Sequence, residues 1–251
     1  MKKLVIQIPC WNEEKSIAQT VSELPADLEG FDSVEIVVID DGSTDQTVLE
    51  AKKAGVRHVV SLPVHQGLAA AFQTGLQYSL SLGASVVINT DADNQYCAAG
   101  IRDLVKPILL ENVDLVIGNR HASKLSHLPR WKKILYRLAA GLVTGVTQQG
   151  APDPTSGFRA MTRSFVLEIS LSDRHSYTLE TLLQAMLTGR KVRFVPVKTN
   201  LVHRPSRLIQ STAIYTLKTT RAVVFSLFTF AIKPKLHRIL FPEKAVLERQ
   251  D

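Results

Sequence analysis

Val87-Ile88-Asn89-Thr90-Asp91-Ala92-Asp93-Asn94-Gln95 runs an apolar strand straight into two carboxylates one residue apart. Side chains alternate along extended chain, so Asp91 and Asp93 can both point at one spot just beyond a sheet edge, where open α/β sheets bind their ligands. Hard oxygen ligands at that place suit Mg²⁺ or Mn²⁺ carrying a diphosphate. Taken alone, the pair reads equally well as the cap of a following helix, since Asp is a favoured N-cap. The rest of the chain shifts that balance.

Outward from this stretch, strand-like apolar runs alternate with helical patterns. Towards the N-terminus the order is Lys3–Pro9, a helix near Glu14–Leu24, Val34–Ile39, a helix near Asp45–Ala54, Val56–Leu62, and a helix from about Gly67 to Leu82 stopped by Gly83. After the strand Ser85–Asn89 come a helix near Gly100–Leu110 and the strand Val113–Gly118. Such alternation predicts βαβ units in a doubly wound, mainly parallel α/β sheet flanked by helices. Beyond Arg120 the pattern loosens into helical stretches around Trp131–Val146 and Leu179–Leu187, a strand near Lys191–Val197, and a helical segment from about Ile209 onwards. No repeat, low-complexity tract or linker interrupts it.

At 251 residues, 45% hydrophobic and 21% charged, the chain is ordinary globular material with one core expected. Two cysteines, Cys10 and Cys97, are too few for a disulfide framework and lack metal-ligand spacing, which points to the cytosol. The basic N-terminus leads into an apolar run interrupted by Gln7 and ended by Pro9, too short for a signal-peptide core. The net charge of +7 is a C-terminal property: residues 190–251 hold 13 Lys or Arg against 3 Asp or Glu, leaving 17 against 20 for residues 1–189. A local surplus of that kind attracts anionic lipid or phosphate, with dispersed surface lysines as the plainer explanation. Aromatics are not interleaved with these bases, so nucleic acid is disfavoured as a partner.

Two further strand ends carry polar loops, Pro9-Cys10-Trp11-Asn12-Glu13-Glu14 and Asp40-Asp41-Gly42-Ser43-Thr44-Asp45. Asn12 and Ser43 or Thr44 are natural N-caps, and Glu13, Glu14 and Asp45 suit the positive start of a helix. Capping does not require Asp40-Asp41. A carboxylate pair at a strand end, followed by glycine, is placed to accept hydrogen bonds from a base or ribose. Neither loop has the glycine cradle of a dinucleotide fold or a P-loop, so a dehydrogenase or ATPase is disfavoured.

These loops, taken in order with His65-Gln66-Gly67-Leu68, Asp91-Ala92-Asp93-Asn94-Gln95, Gly118-Asn119-Arg120 and Ser156-Gly157-Phe158-Arg159, closely resemble glycosyltransferase family 2, and within it the dolichyl- and polyprenyl-phosphate sugar transferases. The resemblance spans about residues 3–207. It implies a GT-A fold, given the bounds 1–208, a nucleotide-sugar donor, a divalent cation and inversion at the anomeric carbon; residues 209–251 read from their own composition as a basic, apolar helical extension. It further implies that Pro9, Asn12, Glu13 and Asp41 touch the nucleoside, Asp91 its ribose or the metal, and Asp93 with Gln95 the metal.

Departure of a nucleoside diphosphate needs its growing charge neutralised, which a Lewis-acid metal and arginine forks do best. Arg120, Arg159, Arg204 and Arg207 are the candidates. Arg204-Pro205-Ser206-Arg207 sits where the resemblance places a loop closing over the pyrophosphate; a plain surface turn is the alternative. Arg120 could equally pair with an acidic neighbour. A hydroxyl acceptor would require a general base, whereas a lipid phosphate is already ionised. Family members that glycosylate hydroxyls carry a Glu-Asp pair at a late helix start; here Ser176-Tyr177-Thr178-Leu179-Glu180-Thr181 offers only Glu180, which favours a phosphate acceptor. Asp153, between two prolines, is expected to orient the acceptor or to be a turn residue.

The run Ala222–Ile232 is apolar nearly all round but far shorter than the roughly 20 residues that span a bilayer. With Lys218, Arg221, Lys233, Lys235 and Arg238 beside it, it suits a helix lying in an anionic headgroup layer, or else one buried against the domain or a second subunit. The resulting expectation is an inverting hexosyltransferase of cell-envelope biosynthesis, peripheral on the cytoplasmic membrane face. Two other readings keep the fold: transfer to a hydroxyl of a soluble acceptor with Glu180 as base, and a catalytically silent nucleotide-sugar binder.

Overall fold

A computed structural model describes residues 1–121, 130–171, 177–200, 221 and 223–232. Its centre is β1 (Lys3–Cys10), buried along nearly its whole length, as the unbroken apolar run of a strand covered on both faces demands. Parallel to it lie β2 (Ser33–Asp40) on one side and β4 (Val86–Asn89) on the other. β3 (His58–Ser61) extends the sheet beyond β2, parallel again. On the far side, β6 (Arg159–Thr162) runs antiparallel between β4 and β5 (Leu115–Asn119), and β7 (Val192–Pro196) closes the edge parallel to β5. Among the described residues the order is therefore β3-β2-β1-β4-β6-β5-β7, a mixed sheet in the GT-A arrangement.

Helices cover both faces. α1 (Ile17–Glu23), α2 (Thr47–Lys53) and α4 (Gly100–Glu111) take one, and α3 (Leu68–Ser81), α6 (Arg163–Glu168) and α7 (Thr178–Leu187) the other. α5 (Arg130–Thr147) sends Ala139 and Val143 inward, and Val143 joins the α3 and α7 layer. The strand period of two sorts the core: Val5, Val37, Ile39, Val87, Leu115 and Ile117 pack under α3 and α7, while Leu4, Ile6, Val86, Ile88 and Val116 pack under α4.

The chain leaves β1 towards β2 and β3, then returns to place β4 on the opposite side of β1. That reversal opens a crevice outside the carboxyl ends of β1, β2 and β4, the usual ligand position in such sheets. The expected strands and helices stand where the sequence puts them, to within a few residues, as far as Leu187 and again at β7. β6 and α6 are the additions. Four residues, three of them buried in succession, carry no strand signature, and β6 pairs with partners some 40 to 75 positions upstream, which no local pattern encodes.

Of the expected C-terminal extension, most lies outside the described residues. Within the described part, Val223 is buried and Leu227, which begins a π-helical segment (Leu227–Ile232), packs against the same core as α7. No helix among the described residues is long and apolar enough to cross a membrane.

Candidate active site

The first two loops are tied to each other rather than capping their own helices. The Asn12 backbone N–H donates to Ser43 Oγ (2.8 Å), the Thr44 N–H donates back to Asn12 Oδ1 (2.8 Å), and the Glu13 N–H donates to Thr47 Oγ1 (2.7 Å). The expected N-cap roles of Asn12, Ser43 and Thr44 are thus replaced by a cross-loop clasp; Ser16 and Gln46 precede α1 and α2 without side-chain caps. Asn12 takes a left-handed backbone, φ +54°, to make that crossing. Pro9 stands in β1 just before this loop, and the buried Glu13 carboxylate accepts from Ser16 Oγ (2.9 Å).

Asp41 is almost fully buried, and its carboxylate organises a third loop. Oδ1 accepts the Gln66 N–H and Oδ2 the Gly67 N–H, each at 2.8 Å, and His65 Nδ1 lies 2.9 Å from Oδ2. The His65 ring stacks on Trp11 with centroids 4.1 Å apart. Gly67 holds φ +101° at the start of α3, a conformation that suits glycine. Asp41 therefore first shapes the nucleoside side of the crevice, and any contact with a base or ribose is made by a carboxylate already held on both oxygens.

Asp91 and Asp93 follow β4 and are half-buried. Burial first, and the Asp93 charge second, push the Asp91 carboxyl up to about 7, against the pull of Arg120 and a hydrogen bond from Tyr96. The Gln95 N–H donates to Asp93 Oδ1 (3.1 Å), and the Gln95 carbonyl accepts from the Asn200 N–H (2.8 Å). Two neighbouring carboxylates, one of them pushed to neutral pH by burial and then by the other's charge, form a donor set that a hard divalent cation relieves. Among the described residues no three His, Cys, Asp or Glu side chains make a closed cage. Mg²⁺ or Mn²⁺ fits such an open pair, because both are commonly held by one or two carboxylates together with substrate phosphates and water.

Beneath Asp91 lies a buried polar network. Gln7 and Asn89 are register partners on β1 and β4, and Gln7 Nε2 donates to Asn89 Oδ1 (2.9 Å). Asn89 Nδ2 donates to the Gly157 carbonyl (2.9 Å) and to Tyr177 Oη (2.8 Å), while the Gly157 N–H donates to Tyr96 Oη (3.0 Å). The Tyr177 ring stacks on Phe72 at 3.7 Å. A methyl group on Gly157 would lie 2.8 Å from Asp91 Oδ1 and 3.0 Å from Tyr177 Oη, so this close approach admits only glycine without displacement. Tyr96, Tyr177, Gln7 and Asn89 escape a motif reading. Two amides in otherwise apolar buried strands were the available signal, since each must find a partner.

The arginines divide. The Arg120 charge acts on Asp91, and the guanidinium is held in place: Nε and Nη2 donate to Asp153 Oδ2 (2.9 Å) and Oδ1 (2.8 Å), and Nη2 also reaches Thr155 Oγ1 (3.1 Å). Its guanidinium sits 5.7 Å over the Tyr136 ring and 6.0 Å from that of Tyr96. Burial works against the charge, but Tyr96 and Asp153 hold it protonated. Asp153, read as an acceptor-orienting or a turn residue, is 2% exposed and fixes Arg120. Among the described residues no partner takes Arg120 Nη1.

Arg159 corrects its expected phosphate role. It is 0% exposed and donates through Nε to the Ser156 carbonyl (2.7 Å), through Nη1 to Thr181 Oγ1 (2.6 Å) and through Nη2 to the Pro154 carbonyl (2.9 Å). Burial draws its pKa down to about 10. Arg159 therefore pins the 153–158 turn to α7 and is shielded from any phosphate in the crevice. Glu180 lies buried in the first turn of α7. Arg204 and Arg207 lie outside the described residues, four and seven positions after Asn200.

Comparison with known proteins bears on the family and the fold. The model of a family described as Glycosyl transferase family 2 matches residues 5–170. An uncharacterized protein of Methanocaldococcus jannaschii is 33% identical over 213 residues, 78% of this chain and 81% of that one. The UDP-N-acetylglucosamine–dolichyl-phosphate N-acetylglucosaminyltransferase of Methanococcus voltae is 27% identical over 221 residues, 79% of this chain and 86% of that one. Glucosyl-3-phosphoglycerate synthase from Mycobacterium tuberculosis, solved with Mn²⁺, UDP and phosphoglyceric acid, superposes with a TM-score of 0.69 at 20% identity, covering 91% of this chain and 78% of that one.

Proposed function

The chain belongs to glycosyl transferase family 2, and from that premise we propose that it moves a hexose, with inversion, from a UDP- or GDP-sugar to a polyprenyl phosphate at the cytoplasmic face of a membrane. The observation that carries the proposal is the Asp91–Asp93 pair at the end of β4, with Arg120 held beside it by Asp153. Mg²⁺ or Mn²⁺ bound there supplies Lewis-acid neutralisation of the departing diphosphate. Asp93 and Asp91 would hold that ion, with the Gln95 backbone N–H keeping Asp93 in place. The cross-clasped loops of Pro9, Asn12, Glu13 and Asp41 form the nucleoside pocket, and Arg204 and Arg207, outside the described residues, are assigned to the pyrophosphate.

In the transfer, an ionised acceptor phosphate oxygen attacks the anomeric carbon as the bond to the donor diphosphate breaks, so no proton has to be removed. Arg120 is assigned to developing or incoming phosphate charge through Nη1, and the Asp153 pair keeps that fork aligned. The lipid acceptor is supported by the name of the Methanococcus voltae relative and by Glu180-Thr181 at a helix start where hydroxyl-glycosylating relatives carry two acids.

The test is release of nucleoside diphosphate from a panel of UDP- and GDP-sugars with Mg²⁺ or Mn²⁺, each with and without short-chain polyprenyl phosphate. Lipid-stimulated release from one donor is the expected result. Asp93→Ala should lower it by about 3 kcal/mol of transition-state stabilisation, on the order of a hundredfold. Full transfer by that variant, or release driven only by a hydroxyl acceptor, would overturn the proposal.

A further inference from the structure

Tyr96 reaches back to a carboxylate that precedes it in the same loop. The chain reverses at Asn94, whose backbone is left-handed at φ +55°, and the Tyr96 hydroxyl bonds the Asp91 carboxylate. A phenol has one proton to give and lone pairs with which to accept. The Gly157 N–H already donates to Tyr96 Oη (3.0 Å), so the hydroxyl proton is the one that Asp91 receives. The ring is fixed independently of that bond. It is 4% exposed and stacks on Phe158, centroids 4.8 Å apart and planes 18° from parallel, in the cluster that also holds Ile88, Ile101 and Ala160. The Tyr96 backbone pairs antiparallel with Thr199. That crossing is closed by the Cys97 N–H to the Lys198 carbonyl (3.3 Å), the Asn200 N–H to the Gln95 carbonyl (2.8 Å) and Asn200 Nδ2 to the Asn94 carbonyl (3.0 Å). Phenylalanine at this position would keep the stack and the backbone pairing. What it lacks is the hydroxyl, a group that costs free energy in a dry interior unless it is bonded.

We infer that Tyr96 is a positioning residue: with its ring fixed on Phe158 and its backbone on residues 198–200, its hydroxyl holds the Asp91 carboxylate in the orientation that receives a divalent cation. A carboxylate that ligates a metal is itself oriented by hydrogen bonds to its remaining lone pairs, and loss of such a partner costs about ten- to a hundredfold in metal affinity. Burial pushes the Tyr96 phenol above its ordinary value, so it stays protonated and remains a donor. The same ring lies 6.0 Å from the Arg120 guanidinium, so one side chain stands between the carboxylate assigned to the ion and the cation assigned to phosphate. This role of Tyr96 rests on the proposed function for the ion at Asp91 and Asp93, and it names what keeps that site in shape.

The experiment is titration of the full chain with Mn²⁺, alone and with UDP or GDP, read by electron paramagnetic resonance of the free ion at one fixed pH. Tyr96→Phe keeps the ring and its stack, and it should weaken Mn²⁺ binding by about ten- to a hundredfold. Asn200→Ala keeps the hydroxyl but releases the Asn94 carbonyl, and it should weaken binding by about two- to tenfold. Thermal unfolding without metal reads the lost Gly157 contact separately. A hydroxyl that served only the fold would lower the melting temperature of Tyr96→Phe and leave its Mn²⁺ affinity, measured well below that temperature, at the parental value. That result would overturn the inference, and so would parental affinity in Asn200→Ala if Tyr96→Phe does not fold. A parent chain that binds no Mn²⁺ in any arm would remove the ion from Asp91 and Asp93, and the role of Tyr96 with it. Because no transfer is read, weakened Mn²⁺ binding in Tyr96→Phe supports the positioning role even where polyprenyl phosphate fails to stimulate the parent, a failure that counts against the proposed acceptor alone.

Discussion

Gly157→Ala is the sharpest probe of how the site is held. The added methyl would meet Asp91 Oδ1 at 2.8 Å and Tyr177 Oη at 3.0 Å, where ordinary van der Waals contact begins at 3.4 Å. Tyr177 has little room to yield: its ring is stacked on Phe72 on one face, lies near the Arg159 guanidinium, and its hydroxyl accepts from Asn89. The Asp91 carboxylate is therefore what moves, by at least about 0.6 Å. A displacement of about 1 Å in a catalytic group costs on the order of a hundredfold. We expect kcat/KM for nucleoside diphosphate release to fall roughly ten- to a hundredfold, about 1.4 to 2.7 kcal/mol. Overpacking also costs stability, about 1 to 3 kcal/mol, so thermal unfolding by circular dichroism must accompany the kinetics. Gly150→Ala, where an added methyl meets nothing within 4 Å, is the control and should be silent. A folded Gly157→Ala enzyme with kcat/KM within about twofold of the parent would refute the argument that Asp91 is positioned through this contact.

Other outcomes follow from the same geometry. Arg159→Met should destabilise the fold by about 3 kcal/mol, because the Ser156 and Pro154 carbonyls lose a charged donor in a dry interior; chemical denaturation reads this directly. The raised Asp91 pKa carries a definite sign. The unfolded chain releases this proton near 3.8 and the native metal-free chain only near 7, so this group lowers stability as pH rises across that window, and the full penalty stands above it. A divalent cation needs the carboxylate ionised, so the rise in melting temperature on adding Mg²⁺ should be larger at about pH 8 than at about pH 5.5; an equal rise at both would place the ion elsewhere. Glu180→Gln separates the acceptor classes. With a phosphate acceptor kcat should change by no more than about fivefold, whereas loss of a general base should cost on the order of a hundredfold or more.

Much of the site was legible because its chemistry lies at strand ends. Asp91-Ala92-Asp93 after an apolar run, and Asp40-Asp41 after another, announce their positions by alternation and turn residues alone. The same reading could not decide what those polar groups hold. Arg159 was read as a phosphate fork because arginine is the residue for that task, yet β6 carries it inward, where three protein oxygens claim it. Arg120 was left between phosphate and an acidic neighbour, and Asp153 between an acceptor and a turn; the fold pairs the two with each other. Asn12, Ser43 and Thr44 looked like local caps, and they bond across thirty residues instead.

By itself, the sequence determined the order of strands and helices and the loops that reach the crevice, because periodicity and turn chemistry act over a few neighbouring residues. Tertiary structure alone decided the antiparallel insertion of β6 and the Gln7–Asn89–Tyr177 network under Asp91. Each of these depends on groups brought together from distant parts of the chain, and burial and hydrogen-bond satisfaction are properties of that assembled packing rather than of any local stretch.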